Sequence, residues 1–142
     1  QTCALPILDA GASSKNIYFI RYADLILLYA ECLLAENDLA GAKQQVIRVR
    51  NRAKVSTPIT ASNNTEMLDF IYEERMRELG MEGWRRMDLI RRGADYFAAQ
   101  VDKYNPFAKG NVQPYHAFYP IPTNEINMND GIGAEDQNEG YK

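Results

Sequence analysis

The stretch at residues 18–36 constrains this chain more than any other feature, because it is apolar at almost every helical phase. Ile20, Ala23, Leu27, Ala30 and Leu34 recur along one stripe, and Tyr22, Ile26, Tyr29 and Leu33 along a second. Only Arg21, Asp24 and Glu31 make a narrow polar line between them. A helix of this kind has to be packed on most sides, which predicts the inner helix of a multi-helix array. It is not a membrane span: the most apolar part, 25–35, is too short and contains Glu31.

Asn37 and Asp38 break the pattern, and a second helix is predicted over 39–54. Ala42, Val46, Val49 and Ala53 share one face, while Lys43, Arg48, Arg50 and Arg52 point elsewhere, as a solvated or ion-paired face. Two helices joined by so short a turn must be antiparallel neighbours. The pair resembles a tetratricopeptide repeat, in which two small residues twelve positions apart, here Ala30 and Ala42, mark the helix crossing.

A polar connection with Pro58 follows at 55–65. Asn63 and Glu66 have the spacing of a capping box, each side chain satisfying a free backbone N–H. The third helix should run to about residue 79, burying Leu68, Ile71, Tyr72 and Leu79, with Glu73–Arg77 and Arg75–Glu78 pairing one turn apart. Gly80 and Gly83 bracket a change of direction, a short helix is predicted over 84–92 with Gly93 as its stop, and 96–101 adds a turn or two.

Beyond residue 104 the composition changes. Pro106, Pro114, Pro120 and Pro122 fall among many Asn and Gly residues, which predicts ordered loop with a helical turn at 123–126. Residues 131–142 are acidic and Gly-rich and would be disordered alone, so their ordering requires docking on the helices. The expected class is all-α, tetratricopeptide-like helical hairpins with a long loop-rich C-terminal tail.

Several functions are disfavoured by the totals. A net charge of -3 argues against a nucleic-acid partner, which calls for a basic surface. Cys3 and Cys32 make no disulfide framework. One histidine, His116, and no spaced His, Cys or carboxylate ligands give no metal site, no cofactor and no hydrolase triad.

The first seven residues, Gln-Thr-Cys-Ala-Leu-Pro-Ile, are also the translation of a widely used sequencing adapter. We expect 1–7 to be an artefact of an adapter-tainted read rather than a natural irregular start. The irregular start then spans 1–16, genuine protein begins near Leu8, the chain is truncated upstream, and Cys3 bears no lipid.

Five short segments, in order, carry a family resemblance. Arg21-Tyr22-Ala23-Asp24 with Tyr29-Ala30-Glu31 resembles the R-Y-A-D…Y-A-E signature of SusD/RagB proteins. Val49-Arg50-Asn51-Arg52-Ala53 resembles their V-R-x-R-A. The run from Glu74 through Arg75, Glu78, Glu82, Arg85 and Asp88 to Gly93 is similar to E-R-x-x-E-L-x-x-E-G-x-R-x-x-D-L-x-R-x-G. Tyr119-Pro120-Ile121-Pro122 with Glu125 resembles Y-P-I-P-x-x-E, and Gln137-Asn138-Glu139-Gly140-Tyr141 the terminal Q-N-x-G-Y. Gly80, where larger residues are common, and Glu139, where Pro is usual, depart from the pattern.

The resemblance implies that 17–142 is the C-terminal domain of an outer-membrane nutrient-binding lipoprotein. Its members face outward from the cell outer membrane, held by an N-terminal lipid that this chain would lack. They act with a SusC-like TonB-dependent transporter, to which they pass an oligosaccharide or other nutrient, and they are binding proteins, not enzymes. The competing readings are a cytoplasmic helical-repeat protein-interaction adaptor and, more weakly, a carbohydrate-active enzyme.

The structural motif residues are Arg21, Asp24, Glu74, Arg75, Glu78, Glu82, Arg85 and Asp88. The carboxylates among them have arginines within a turn, which favours ion pairing over acid–base chemistry; Asp88 is expected to be partly buried and held by an arginine or backbone N–H groups. The ligand candidates are Trp84, Tyr115, His116 and Tyr119, with Phe118 in the same aromatic cluster. For Trp84 a core role is preferred, and for the cluster a role in packing the tail on the helices. The resemblance places the family's ligand aromatics mainly upstream, which makes this chain scaffold.

Overall fold

A computed structural model describes residues 18–142; the expected irregular start, 1–16, lies outside the described residues. The described residues are helical with no strand, in the order α1 Tyr22–Ala35, α2 Leu39–Arg52, α3 Asn64–Glu78, α4 Arg85–Ile90, α5 Ala94–Tyr104 and α6 Thr123–Met128. Two 3₁₀ turns, Pro114–Ala117 and Ala134–Asp136, interrupt the last third. The chain divides into two compact units, the first ending at Glu74 and the second being Arg75–Lys142.

In the first unit the α1–α2 turn is made by two residues with different tasks. Asn37 adopts a left-handed φ of 64°, which Asn tolerates better than most residues. The turn satisfies two terminal carbonyls of α1, with Asn37 N–H donating to Leu34 and Asp38 N–H to Leu33. The Asp38 side chain then caps α2, accepting from Gly41 N–H at 2.8 Å. The resulting hairpin closes on Leu27, Ala30, Leu34, Ala42, Val46 and Val49, and α3 adds Met67 and Ile71. Asn64, the first residue of α3, donates to the Leu34 carbonyl and to Asn37 Oδ1, which ties α3 to the hairpin turn.

Several expectations need correction here. Residues 18–20 are not helical, because Arg21 is extended, with φ -114° and ψ 156°; the aromatic and β-branched Tyr18, Phe19 and Ile20 favour such backbone. Among the described residues the second apolar stripe of α1 is only partly covered: Tyr22 is 68% exposed and Tyr29 54%, while Ile26 and Leu33 pack at the edge of the core. Periodicity reports that a face is apolar, not that something covers it.

Arg50 does not point to solvent; it is buried, and donates to Glu74 Oε2 at 3.1 Å and to the Thr57 carbonyl at 2.6 Å. The capping box at α3 is shifted on one side. Glu66 N–H donates to Asn63 Oδ1 as expected, but the Glu66 carboxylate accepts from the Ser62 backbone N–H and hydroxyl. These donors, the backbone N–H foremost, hold the Glu66 carboxyl below its usual value of 4.5.

In the second unit Leu89, Phe97 and Ala117 form the core, with Ile90, Tyr96 and Val101 packed against it. The turn between α3 and α4 takes positive φ at Met81, 68°, and at Gly83, 83°. The change of direction expected between Gly80 and Gly83 is therefore present, with Met81 and Gly83 in the left-handed region. Gly93 ends α4 at φ 108°. Helix α5 begins directly after it and is three turns long, not one or two.

Candidate functional site

The second unit is built on charges that are consumed by its own architecture. From the last turn of α3, Arg75 Nε donates to Asp88 Oδ2 at 2.9 Å, and Arg91 Nη2 donates to the other oxygen at 3.1 Å. Asp88 is buried, and both its oxygens are occupied by guanidinium groups. In the first unit Glu74 is buried against Arg50. Both carboxylates are thus committed to guanidinium partners within the fold.

Arg86, the second residue of α4, reaches the loop-rich segment. Its Nη2 donates to the carbonyls of His116 and Ala117 at 3.1 and 3.0 Å. Its flat face lies over Tyr119 at 4.2 Å from the ring centroid and over Phe97 at 5.2 Å. Periodicity gave no reason to single out Arg86 over Arg85, since its partners are thirty residues away.

The carbonyls that follow are held by the C-terminal residues. Phe118 O accepts from the Tyr141 hydroxyl at 3.1 Å, and Tyr119 O from Asn138 Nδ2 at 2.7 Å. Gln137 makes a double bond pattern with Ile121, its Oε1 accepting from the Ile121 N–H at 2.7 Å and its Nε2 donating to the Ile121 carbonyl at 2.9 Å. The tail therefore docks mainly on another loop, residues 118–121, rather than on the helices. That loop is in turn anchored to α4 by Arg86.

Between this strap and the Pro114–Ala117 turn lies an open groove of about 680 Å³, whose walls include Gln113, Tyr115 and Phe118 on one side and Asn138, Glu139 and Gly140 on the other. Gln113 N–H donates to His116 Nδ1 at 2.8 Å, which leaves the proton of a neutral imidazole on Nε2. The His116 ring packs on Tyr115, centroids 4.2 Å apart, and the Tyr141 ring meets Tyr115 edge-on at 5.2 Å. Gly140 has φ 86°, and a Cβ there would run into the Tyr115 ring, so the strap passes over Tyr115 only as glycine.

The four ligand candidates do not converge. Tyr115 lines the groove and His116 supports it. Tyr119 is exposed and covers Arg86. Trp84, half-buried, precedes α4 and is not among the groove-lining residues. Phe118, 57% exposed, belongs to the groove instead. Among the described residues no His, Cys, Asp and Glu group suits a metal ion, and no helix is long and apolar enough to cross a membrane.

Comparison with known proteins supplies the decisive observation: the model of the SusD family matches residues 7–141. The chain belongs to the SusD family. A SusD-like protein of Formosa agariphila is 34% identical over 134 residues, which are 91% of this chain and 25% of that protein. The starch-binding protein SusD of Bacteroides thetaiotaomicron is 31% identical over 143 residues, 96% of this chain and 24% of its own length. A second SusD-like protein of Formosa agariphila is 34% identical over 92 residues. The chain thus spans about a quarter of the length of the first two of these relatives. No solved structure gives a significant match.

Seen as a SusD family chain, the motif segments acquire a physical meaning. Arg50 of the second segment pairs with Glu74 of the third. Arg75 and Asp88 pair within the third. Tyr119 and Ile121 of the fourth are bonded by Asn138 and Gln137 of the fifth. In these pairings the motif residues recognise one another.

Proposed function

We propose that this chain is the C-terminal scaffold of a glycan- or nutrient-binding lipoprotein on the outward face of the cell outer membrane. Its role is binding and delivery to a SusC-like TonB-dependent transporter, not turnover, and Arg21, Asp24, Glu74, Arg75, Glu78, Glu82, Arg85 and Asp88 serve its architecture. The single observation that carries this reading is the SusD family match over nearly the whole chain, and a relative named as starch-binding supports it. The commitment of Glu74 and Asp88 to buried arginines supports binding over hydrolysis.

The test uses the product of the complete reading frame. Expressed with its natural start, it should be lipidated, be accessible on the cell surface and co-purify with a TonB-dependent transporter. It should also retard on gels containing a polysaccharide without releasing reducing sugar. A cytosolic product that binds no polysaccharide would return the reading to a helical-repeat adaptor.

A further inference from the structure

We propose that the groove between residues 113–118 and the strap 138–140 is a saccharide subsite carried by this chain itself. The proposal rests on the glycan-binding reading and deepens it by naming a place of contact. Three observations lead to it.

The first is an exposed aromatic on a rigid backbone. Phe118 is 57% exposed although the backbone around it is tied down: the carbonyls of His116, Ala117, Phe118 and Tyr119 each accept a side-chain hydrogen bond. A platform held in advance binds without the cost of ordering itself, and the C–H face of a pyranose matches an aromatic plane in size and polarity.

The second is the polar rim. Gln113, Asn138 and Glu139 line the same groove as Phe118, adding two amide residues and a carboxylate residue to its lining. Neighbouring sugar hydroxyls need this mixture of donors and acceptors within a few ångströms of a stacking surface. A purely apolar partner would leave these groups desolvated without replacement bonds, which is costly.

The third is the space. The groove is open and about 680 Å³, within the size range of small-molecule sites. It admits a short stretch of a longer chain. Tyr115, backed by His116 and Tyr141, forms part of its wall, and Gly140, without a Cβ, lets the strap lie directly against that ring.

A photo-crosslinking map tests the proposal. The 142-residue chain and the product of the complete reading frame are each irradiated with diazirine-tagged maltoheptaose, laminarihexaose and xylohexaose, with and without excess untagged sugar, and digested for mass spectrometry. The expected result is competable label on peptides containing 113–118 or 138–140, reduced about fivefold or more by Phe118→Ala and by Glu139→Gln. Phe107→Ala, at a side chain 95% exposed and outside the groove, should leave it unchanged. Label that persists in both groove variants overturns the subsite. So does label confined to other segments, which leaves the glycan-binding reading standing. Absence of competable label on either protein overturns both.

Discussion

Arg75 and Asp88 form an ion pair at 2.9 Å in which the arginine side chain is 2% and the aspartate 4% exposed. Buried pairs of this kind are held against a large desolvation cost, so removing one partner strands the other. Asp88→Ala should destabilise the chain by about 3–5 kcal/mol, read from urea denaturation. The double variant Arg75→Met with Asp88→Leu should recover most of that loss. An unchanged midpoint in Asp88→Ala would contradict the assignment.

Arg50 is a second case with a different signature, because one guanidinium serves both Glu74 and the Thr57 carbonyl. Lysine keeps the charge but cannot reproduce the fork. Arg50→Lys should therefore cost about 1.5–3 kcal/mol, the range for a hydrogen bond to a charged group. Arg48→Lys, at an exposed position two residues before, should stay within about 0.5 kcal/mol. Parallel thermal melts of the two variants compare them directly.

The tail makes a prediction readable at one amide. Ile121 N–H is held by Gln137 Oε1, so Gln137→Ala should accelerate hydrogen exchange at Ile121 by about fivefold, for a bond worth about 1 kcal/mol. Amides in α1 and α2 should be unaffected. Equal acceleration throughout would mean global destabilisation and would refute local latching.

Glu66 gives the pH dependence. Its folded value lies below 4.5 because Ser62 donates to the carboxylate, so its contribution to stability is present above the unfolded value. That contribution is lost as pH falls through the lower, folded value. The Glu66 side-chain carboxyl signal, followed by NMR, should titrate below 4.5 in the native chain and move upward in Ser62→Ala.

Much of the first unit was legible in the sequence. The stripe Leu27, Ala30 and Leu34, the break at Asn37-Asp38 and the small Ala42 together dictate a hairpin, because periodicity and capping are local properties. The exposure of Tyr22 and Tyr29 was not legible, since a pattern of apolar residues does not name what covers them. Arg50 was expected on a solvated or ion-paired face; it is ion-paired, but its burial was not legible, for a related reason. Its partner is twenty-four residues away, and a helical wheel of α2 alone marks it as a surface charge.

The site was legible only in outline. Tyr115, Phe118 and Tyr119 announce an aromatic cluster, but Arg86 draws Tyr119 away while Phe118 stays with the groove. Gln137 and Asn138 could be marked as motif residues, yet nothing in their spacing reveals Ile121 and Tyr119 as their targets. Side-chain bonds to distant backbone have no period, and a single sequence therefore hides them.

The Gln137–Ile121 bond has one more consequence. A side-chain amide here stands in for a rung of backbone pairing, so the alignment of the terminal segment depends on one residue and its immediate successors. The length of the chain between Met128 and Gln137 does not enter it. Because loop-closure entropy changes slowly with length, insertions in that stretch should be tolerated in natural variants, while a one-residue displacement of Gln137 relative to Asn138 and Tyr141 should not.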